Sequence, residues 1–228
     1  MKRITDHIAA IPLFRGMSPE YHDELAMIVV DQEFKRGSLI FSEGDAGNGF
    51  YVIITGKVKV FKLSFDGKEQ ILHILGPGEP FAEVAVFTGS AYPANAMALE
   101  QSRLFFFPRK AFADLITRQP ALAMNMLATL SLRLKQFTHM IEALSLKEVP
   151  GRLAAYILLA SRQNGATASI TLTVSKTQLA SLLGTIPETL SRILAKMNKQ
   201  GLIDIDGAVI SLLDREGLTA LAEGEMRL

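Results

Sequence analysis

The chain has 228 residues, 49% of them hydrophobic, a formal net charge of +1 and no cysteine. That apolar content is enough for a packed core and excludes intrinsic disorder, and the near-neutral charge excludes a general polyanion binder. The missing cysteines exclude disulfides, thiol catalysis, cysteine-ligated iron–sulfur clusters and zinc fingers.

Taken in chain order, residues 1 to about 30 read as helical. Pro12 breaks the pattern, and Ser18-Pro19-Glu20 opens a second helix. The opening MKRITDHIAAIPLF has a short apolar run interrupted by Asp6, His7 and Pro12, which argues against a secretory signal. From Glu33 to Phe107 the pattern changes to short strands cut by turns at Lys35-Arg36-Gly37, Glu43-Gly44-Asp45, Thr55-Gly56-Lys57, Phe65-Asp66-Gly67-Lys68, Gly76-Pro77-Gly78 and Thr88-Gly89-Ser90. Strands of about five to seven residues at this spacing predict a sandwich or jelly-roll barrel.

After Pro120 one long helix is expected. Leu127, Leu130, Leu134, Phe137, Ile141 and Leu144 step by three and four residues in alternation, the heptad stripe of a coiled-coil seam. The stripe is narrow and flanked by Arg133, Lys135, Gln136 and Glu142, which favours a dimer seam over a helix packed on its own barrel. Lys147 to Gly151 ends the seam at Pro150 as a hinge, and a further helix runs to about Gln163. The longest apolar run, Leu153 to Ala160, is too short to span a bilayer, so a cytoplasmic protein without a membrane partner is expected.

The segment Ser175 to Gln200 carries the most chemistry. A first helix is predicted from about Lys176 to Leu183, with Ser175 and Gln178 as a capping box and Gly184 as its stop. A second starts at Pro187, where a missing N–H costs nothing, with Thr185 and Glu188 as another capping box. Leu190, Ile193, Leu194 and Met197 form its buried stripe. Glu188, Thr189, Ser191 and Arg192 are left on one outer face as the expected base-reading set, where arginine can pair with guanine O6 and N7 and glutamate can accept from the cytosine amino group. Lys196 and Lys199 lie where phosphates would pass, and Ser175, Lys176 and Thr177 open the first helix, a common backbone anchor. From Lys176 to Gln200 four cations (Lys176, Arg192, Lys196, Lys199) against one anion (Glu188) give a local +3. An alternating stretch follows, Leu202 to Leu212, with Asp206-Gly207 as a hairpin signal. Helix, turn, helix and hairpin make a winged helix-turn-helix.

The expected fold is therefore α+β in three parts: a sensing domain over 1–119, a dimerisation helix over 120–146 and a DNA-binding domain over 147–228. There is no metal-ligand cluster, no P-loop and no Gly-x-Ser-x-Gly, so no enzyme is expected. A rival reading is a ligand-binding module that acts on a protein partner.

Over nearly its full length the chain resembles the CRP/FNR family of bacterial transcription regulators. Gly44-Asp45 and Phe50-Tyr51-Val52-Ile53-Ile54-Thr55-Gly56-Lys57-Val58 resemble that family's cyclic-nucleotide-binding-like β-roll, and Pro187-Glu188-Thr189-Leu190-Ser191-Arg192 its recognition helix. The Glu-x-x-Ser-Arg spacing is that of the FNR branch. The resemblance implies a homodimer on an FNR-like palindrome with half-sites near TTGAT, with Glu188 and Arg192 at the G·C pair and Ser191 at a neighbouring thymine. It also implies RNA polymerase as a partner and a small effector. The family's cyclic AMP binders carry Gly-Glu-Leu-Gly-Leu-Phe followed by Arg-Ser. Here the matching positions are Ala82-Glu83-Val84-Ala85-Val86-Phe87 and Pro93-Ala94, so the phosphate-pairing arginine is missing, which argues against cyclic nucleotide. A cyclic-nucleotide-responsive regulator of the same fold is the alternative. Pro80-Phe81-Ala82-Glu83 and Ser145-Leu146-Lys147 look similar to the DNR-like subgroup, which implies a response to nitric oxide or nitrogen oxides with haem as cofactor. An effector pocket of Phe81, Glu83, Val84, Val86, Phe87, Met124, Met126 and Leu127 is expected, with His73 as the candidate haem ligand.

Overall fold

A computed structural model describes residues 3–163 and 165–228. The chain divides into two compact units, with the boundary between Leu134 and Lys135. The first begins with helices α1 (Ile4–Ala10) and α2 (Pro19–Ile28), separated by a 3-10 turn at Pro12–Phe14. Strands β1 (Val30–Phe34), β2 (Leu39–Phe41), β3 (Gly49–Thr55), β4 (Val58–Leu63), β5 (Glu69–Leu75) and β6 (Pro80–Phe81) follow. After helix α3 (Val84–Thr88) come β7 (Asn95–Ala98), β8 (Ser102–Pro108) and helices α4 (Arg109–Arg118) and α5 (Pro120–Leu146). The long helix α5 carries residues of both units.

Two four-stranded antiparallel sheets form the roll among the described residues, in the orders β1-β8-β3-β6 and β2-β7-β4-β5. Several strands are shorter than expected, because β2, β6 and β7 pair over only three, two and four residues. Side chains of a strand point alternately to its two faces. Tyr51, Ile53 and Leu104 therefore pack between the sheets with Phe41, Val58, Leu75, Phe81 and Ala96. Phe50, Val52, Phe105 and Phe107 point the other way, into a second core built with Ile8, Phe14, Leu25, Phe112, Leu122 and Met126 from the helices. A strand buried on both faces needs a continuous apolar run, which is what Phe50-Tyr51-Val52-Ile53-Ile54 supplies.

The space between the sheets is filled by aromatic rings. Phe41 stacks on Tyr92 at 4.0 Å between centroids, on Tyr51 at 5.8 Å and on Phe81 at 6.0 Å. Tyr51 stacks on Phe81 at 5.2 Å. Such pairs contribute about 0.5–1.5 kcal/mol each beyond area burial. Burial, and secondarily the Tyr92 phenol, pushes the Tyr51 pKa up to about 12.

The second unit contains α6 (Val149–Gln163), β9 (Ser169–Thr171), α7 (Lys176–Leu182), α8 (Pro187–Lys199), β10 (Ile203–Asp206), β11 (Val209–Leu212) and α9 (Arg215–Glu223). The hinge differs from the expectation. Helix α5 stops at Leu146 and α6 resumes at Val149, so Pro150 lies in the first turn of α6 rather than closing the seam. A first-turn proline gives up no helical hydrogen bond, which reconciles it with the helix. One core gathers Leu153, Ile157, Ile170, Leu179, Leu190, Leu194, Met197, Ile203, Ile210 and Leu218, from α6 through α9. The hairpin β10–β11 gains a third strand, β9, in the order β10-β11-β9.

Candidate nucleic-acid interface and sensing site

The start of α7 is fixed as its sequence dictates. The Ser175 hydroxyl accepts from the Gln178 N–H at 3.2 Å and the Gln178 side chain accepts from the Ser175 N–H at 2.8 Å. This reciprocal pair satisfies two otherwise orphaned helix N–H groups. Gly184, at φ +67°, turns the chain away in the left-handed conformation that favours glycine. The second expected capping box does not form. Ile186 caps α8 without a side-chain bond, and the Thr185 N–H turns back to the Ala180 carbonyl at 2.9 Å. Pro187 in the first turn takes over the start of the helix.

Helix α8 is two-faced. Leu190, Leu194 and Met197 are at most 3% exposed, so its rotation about its own axis is fixed by the core. Glu188, Ser191, Arg192, Lys196 and Lys199 are exposed and Thr189 is half-buried. Arg192 Nη2 donates to Thr189 Oγ1 at 3.1 Å. Ser175, Lys176 and Thr177 are exposed at the N-terminal end of α7. The arrangement presents an acceptor, two hydroxyls and a guanidinium from one rigid helix, with lysines in its last turns. That is the donor and acceptor set that base edges and phosphates require.

On α5, Leu122 and Met126 are fully buried in their own unit and Leu130 packs against the same core. Leu127 and Ile141 are 56% and 65% exposed, and Leu134 is exposed as well. Phe137 and Leu144 are half-buried. The heptad stripe is thus shared: Leu130 leans on the roll, while Leu127 and Ile141 face outward.

The expected effector pocket does not form as one wall. Phe81 belongs to the ring stack between the sheets, whereas Val86 and Met126 belong to the helical core. Val84, Phe87, Met124 and Leu127 are exposed. The roll needs filling and the helices need a common core, and these two demands divide the apolar residues between them.

Glu83 is 2% exposed, and it is engaged by a residue that sequence patterning marks only as a flank of the seam. Arg133 Nη1 of α5 pairs with the Glu83 carboxylate, and its Nη2 donates to the Pro80 carbonyl at 2.7 Å. Ala82, just before Glu83, has φ +66°, a left-handed conformation that costs a Cβ-bearing residue about 1–2 kcal/mol. His73 on β5 has its pKa lowered to about 4, by burial first and by the Arg133 charge second. Its imidazole is neutral at physiological pH. Among the described residues no three His, Asp or Glu side chains gather where they could hold a metal ion. No helix among them is long and apolar enough to cross a membrane.

A sensing-type β-roll joined to a helix-turn-helix with an outward polar face defines a DNA-binding regulator. Residues 31–119 match the model of the cyclic nucleotide-binding domain, and residues 151–221 match that of the Crp-like helix-turn-helix domain. The cyclic AMP receptor protein of Thermus thermophilus is 31% identical over 213 residues, covering 93% of this chain and 97% of that protein. The fumarate and nitrate reduction regulatory protein of Salmonella typhimurium is 31% identical over 205 residues, covering 88% of this chain and 82% of that protein. Among solved structures, a CooA variant from Carboxydothermus hydrogenoformans aligns with a TM-score of 0.79 at 22% identity, covering 96% of this chain and 98% of that one. The chain belongs to the CRP/FNR family of DNA-binding transcription regulators.

Proposed function

We propose that this regulator acts as a homodimer on an FNR-like palindrome with half-sites near TTGAT. Arg192 and Glu188 read the G·C pair and Ser191 a neighbouring thymine. Ser175, Lys176, Thr177, Lys196 and Lys199 hold phosphates, and RNA polymerase is the further partner. The observation that carries this reading is the exposure of Glu188, Ser191 and Arg192 on a helix whose opposite face is locked in the core. A two-fold axis suits paired half-sites, and the exposed Leu127 and Ile141 offer the apolar surface such an axis needs. Fluorescence anisotropy on a labelled TTGAT palindrome and a scrambled duplex tests it. Tighter binding to the palindrome by about 10³-fold or more supports the reading. Equal affinity for both overturns it.

The effector on this reading is a small molecule other than cyclic AMP. Glu83, the carboxylate that would meet a ribose hydroxyl, is held by Arg133, and Pro93-Ala94 offers no cation to a phosphate. The residues around His73 do not fit a haem. The neutral imidazole suits iron, but a guanidinium acts on it electrostatically, and the apolar residues that would flank a porphyrin are dispersed: Phe81 lies in one core, Val86 and Met126 in another, and Val84, Phe87, Met124 and Leu127 are exposed. A nitrogen-oxide response of the DNR-like kind is therefore read only as a signal class, without a bound group.

A further inference from the structure

On the reading that Arg192 and Glu188 recognise a G·C pair, we infer that Thr189 sets base specificity by holding Arg192 in place and away from Glu188. The two readers stand four residues apart on α8, acid first, the spacing and order at which a glutamate and an arginine pair best on an isolated helix. Such a pair would neutralise both groups before DNA arrived. Among the described residues Arg192 makes no ion pair with Glu188, and its Nη2 instead donates to the Thr189 hydroxyl at 3.1 Å. Thr189 is suited to this. It is half-buried and one helical turn before Arg192, its β-branch restricts χ1, and α8 is clamped by Leu190 and Met197, both 0% exposed.

The chemistry leaves the guanidinium competent. A guanidinium carries five N–H donors in a planar fork, and one is spent on Thr189. Two parallel donors remain for guanine O6 and N7. Fixing the fork lowers the rotamer entropy lost when the arginine docks. Glu188, left without its intrahelical partner, keeps its lone pairs for the cytosine amino group. Thr189, expected from the sequence among the base readers, on this inference acts through Arg192 as a positioning residue and touches no base itself.

The test measures discrimination, the ratio of affinities for the TTGAT palindrome and for a palindrome with the G·C pair replaced by A·T. It compares wild type, Thr189→Val, Thr189→Ser and Arg192→Ala in the full-length protein, with circular dichroism as a check on folding. Valine keeps the shape and removes the hydroxyl; serine restores the hydroxyl. Thr189→Val is expected to lower discrimination about three- to tenfold, the scale of one hydrogen bond, with little change in affinity for non-specific DNA. Thr189→Ser is expected to recover most of the loss. Wild-type discrimination in Thr189→Val, or loss of it in Thr189→Ser equal to that in Thr189→Val, overturns the inference. If Arg192→Ala discriminates as wild type does, the base-reading assignment itself fails and this inference falls with it. If Arg192→Ala relaxes discrimination and Thr189→Val does not, only the role of Thr189 is lost.

Discussion

Arg133 and Glu83 stand 50 residues apart in the chain and meet as an ion pair in the interior of the first unit. Its guanidinium also takes the Pro80 carbonyl at 2.7 Å, so one side chain of α5 fastens the β6–α3 corner of the roll. Removing one member of a buried pair strands the other without solvent or partner. Glu83→Ala and Arg133→Ala should each lower stability by about 3 kcal/mol. The double replacement Glu83→Ala with Arg133→Ala should cost much less than the two single changes summed. Urea denaturation followed by circular dichroism provides the cycle, and additive losses would show that the contact carries no coupling.

The base-reading assignment makes a separate prediction. Arg192→Ala should lose about 1–3 kcal/mol of specific binding and accept other bases at the G·C position. Lys199→Ala should weaken binding to all sequences alike and reduce the salt dependence by about one unit of slope. Anisotropy titrations at several salt concentrations separate these two signatures.

The outward half of the stripe on α5 can be broken without touching the roll. Leu127→Glu combined with Ile141→Glu places four carboxylates at a two-fold seam. Sedimentation velocity is expected to show a dimer for wild type and a monomer for the variant, with loss of palindrome binding. A monomeric wild type that still binds the palindrome tightly would remove the seam from the account.

His73 gives a pH dependence with a defined sign. Its pKa is about 4 in the folded protein against an ordinary value of 6.5, because burial and Arg133 both disfavour its cation. Above pH 6.5 both folded and unfolded states carry the neutral ring and nothing is lost. As pH falls from 6.5 towards 4 the unfolded chain takes up the proton first, so stability declines, by up to about 3 kcal/mol from this group. His73→Gln should flatten that decline when urea midpoints are compared between pH 7.5 and pH 4.5.

Ala82 is the fifth test. Its φ of +66° is strained for alanine and easy for glycine. Ala82→Gly should raise stability by about 0.5–1 kcal/mol, because relief of strain exceeds the added freedom of the unfolded chain. The urea midpoint of the variant measures it.

Local signals were legible where one short segment determines the outcome. The Ser175–Gln178 box, the stop at Gly184, the start of α2 after Ser18 and the extent of α5 all depend on neighbouring residues alone. The hairpin near Asp206-Gly207 was also legible, although register pairs Asp206 with Val209 and leaves Gly207-Ala208 as the loop. Gly207, at φ +59°, takes the first central position of that turn, where a side chain would be strained. Strand β9 was missed because Ser169–Thr171 is three residues long and exists only by pairing with β11. Helix α3, with five residues, is too short for a periodic pattern; α4 and α9 were not expected although both are amphipathic and α9 carries its own boundary signals, Asp214 accepting from the Gly217 N–H and Gly224 in the left-handed conformation. The Glu83–Arg133 contact could not be read at all. A glutamate in a loop and an arginine beside a leucine stripe carry no mark of each other until the fold is known.

The four stacked rings of Phe41, Tyr51, Phe81 and Tyr92 turn the roll into a filled vessel. A guest seated among these rings would have to displace one, and Phe41, which touches the other three, is where hollowing would begin. Engineering a new chemical input into this regulator is therefore first a matter of excavation, and only afterwards one of placing polar groups around the void.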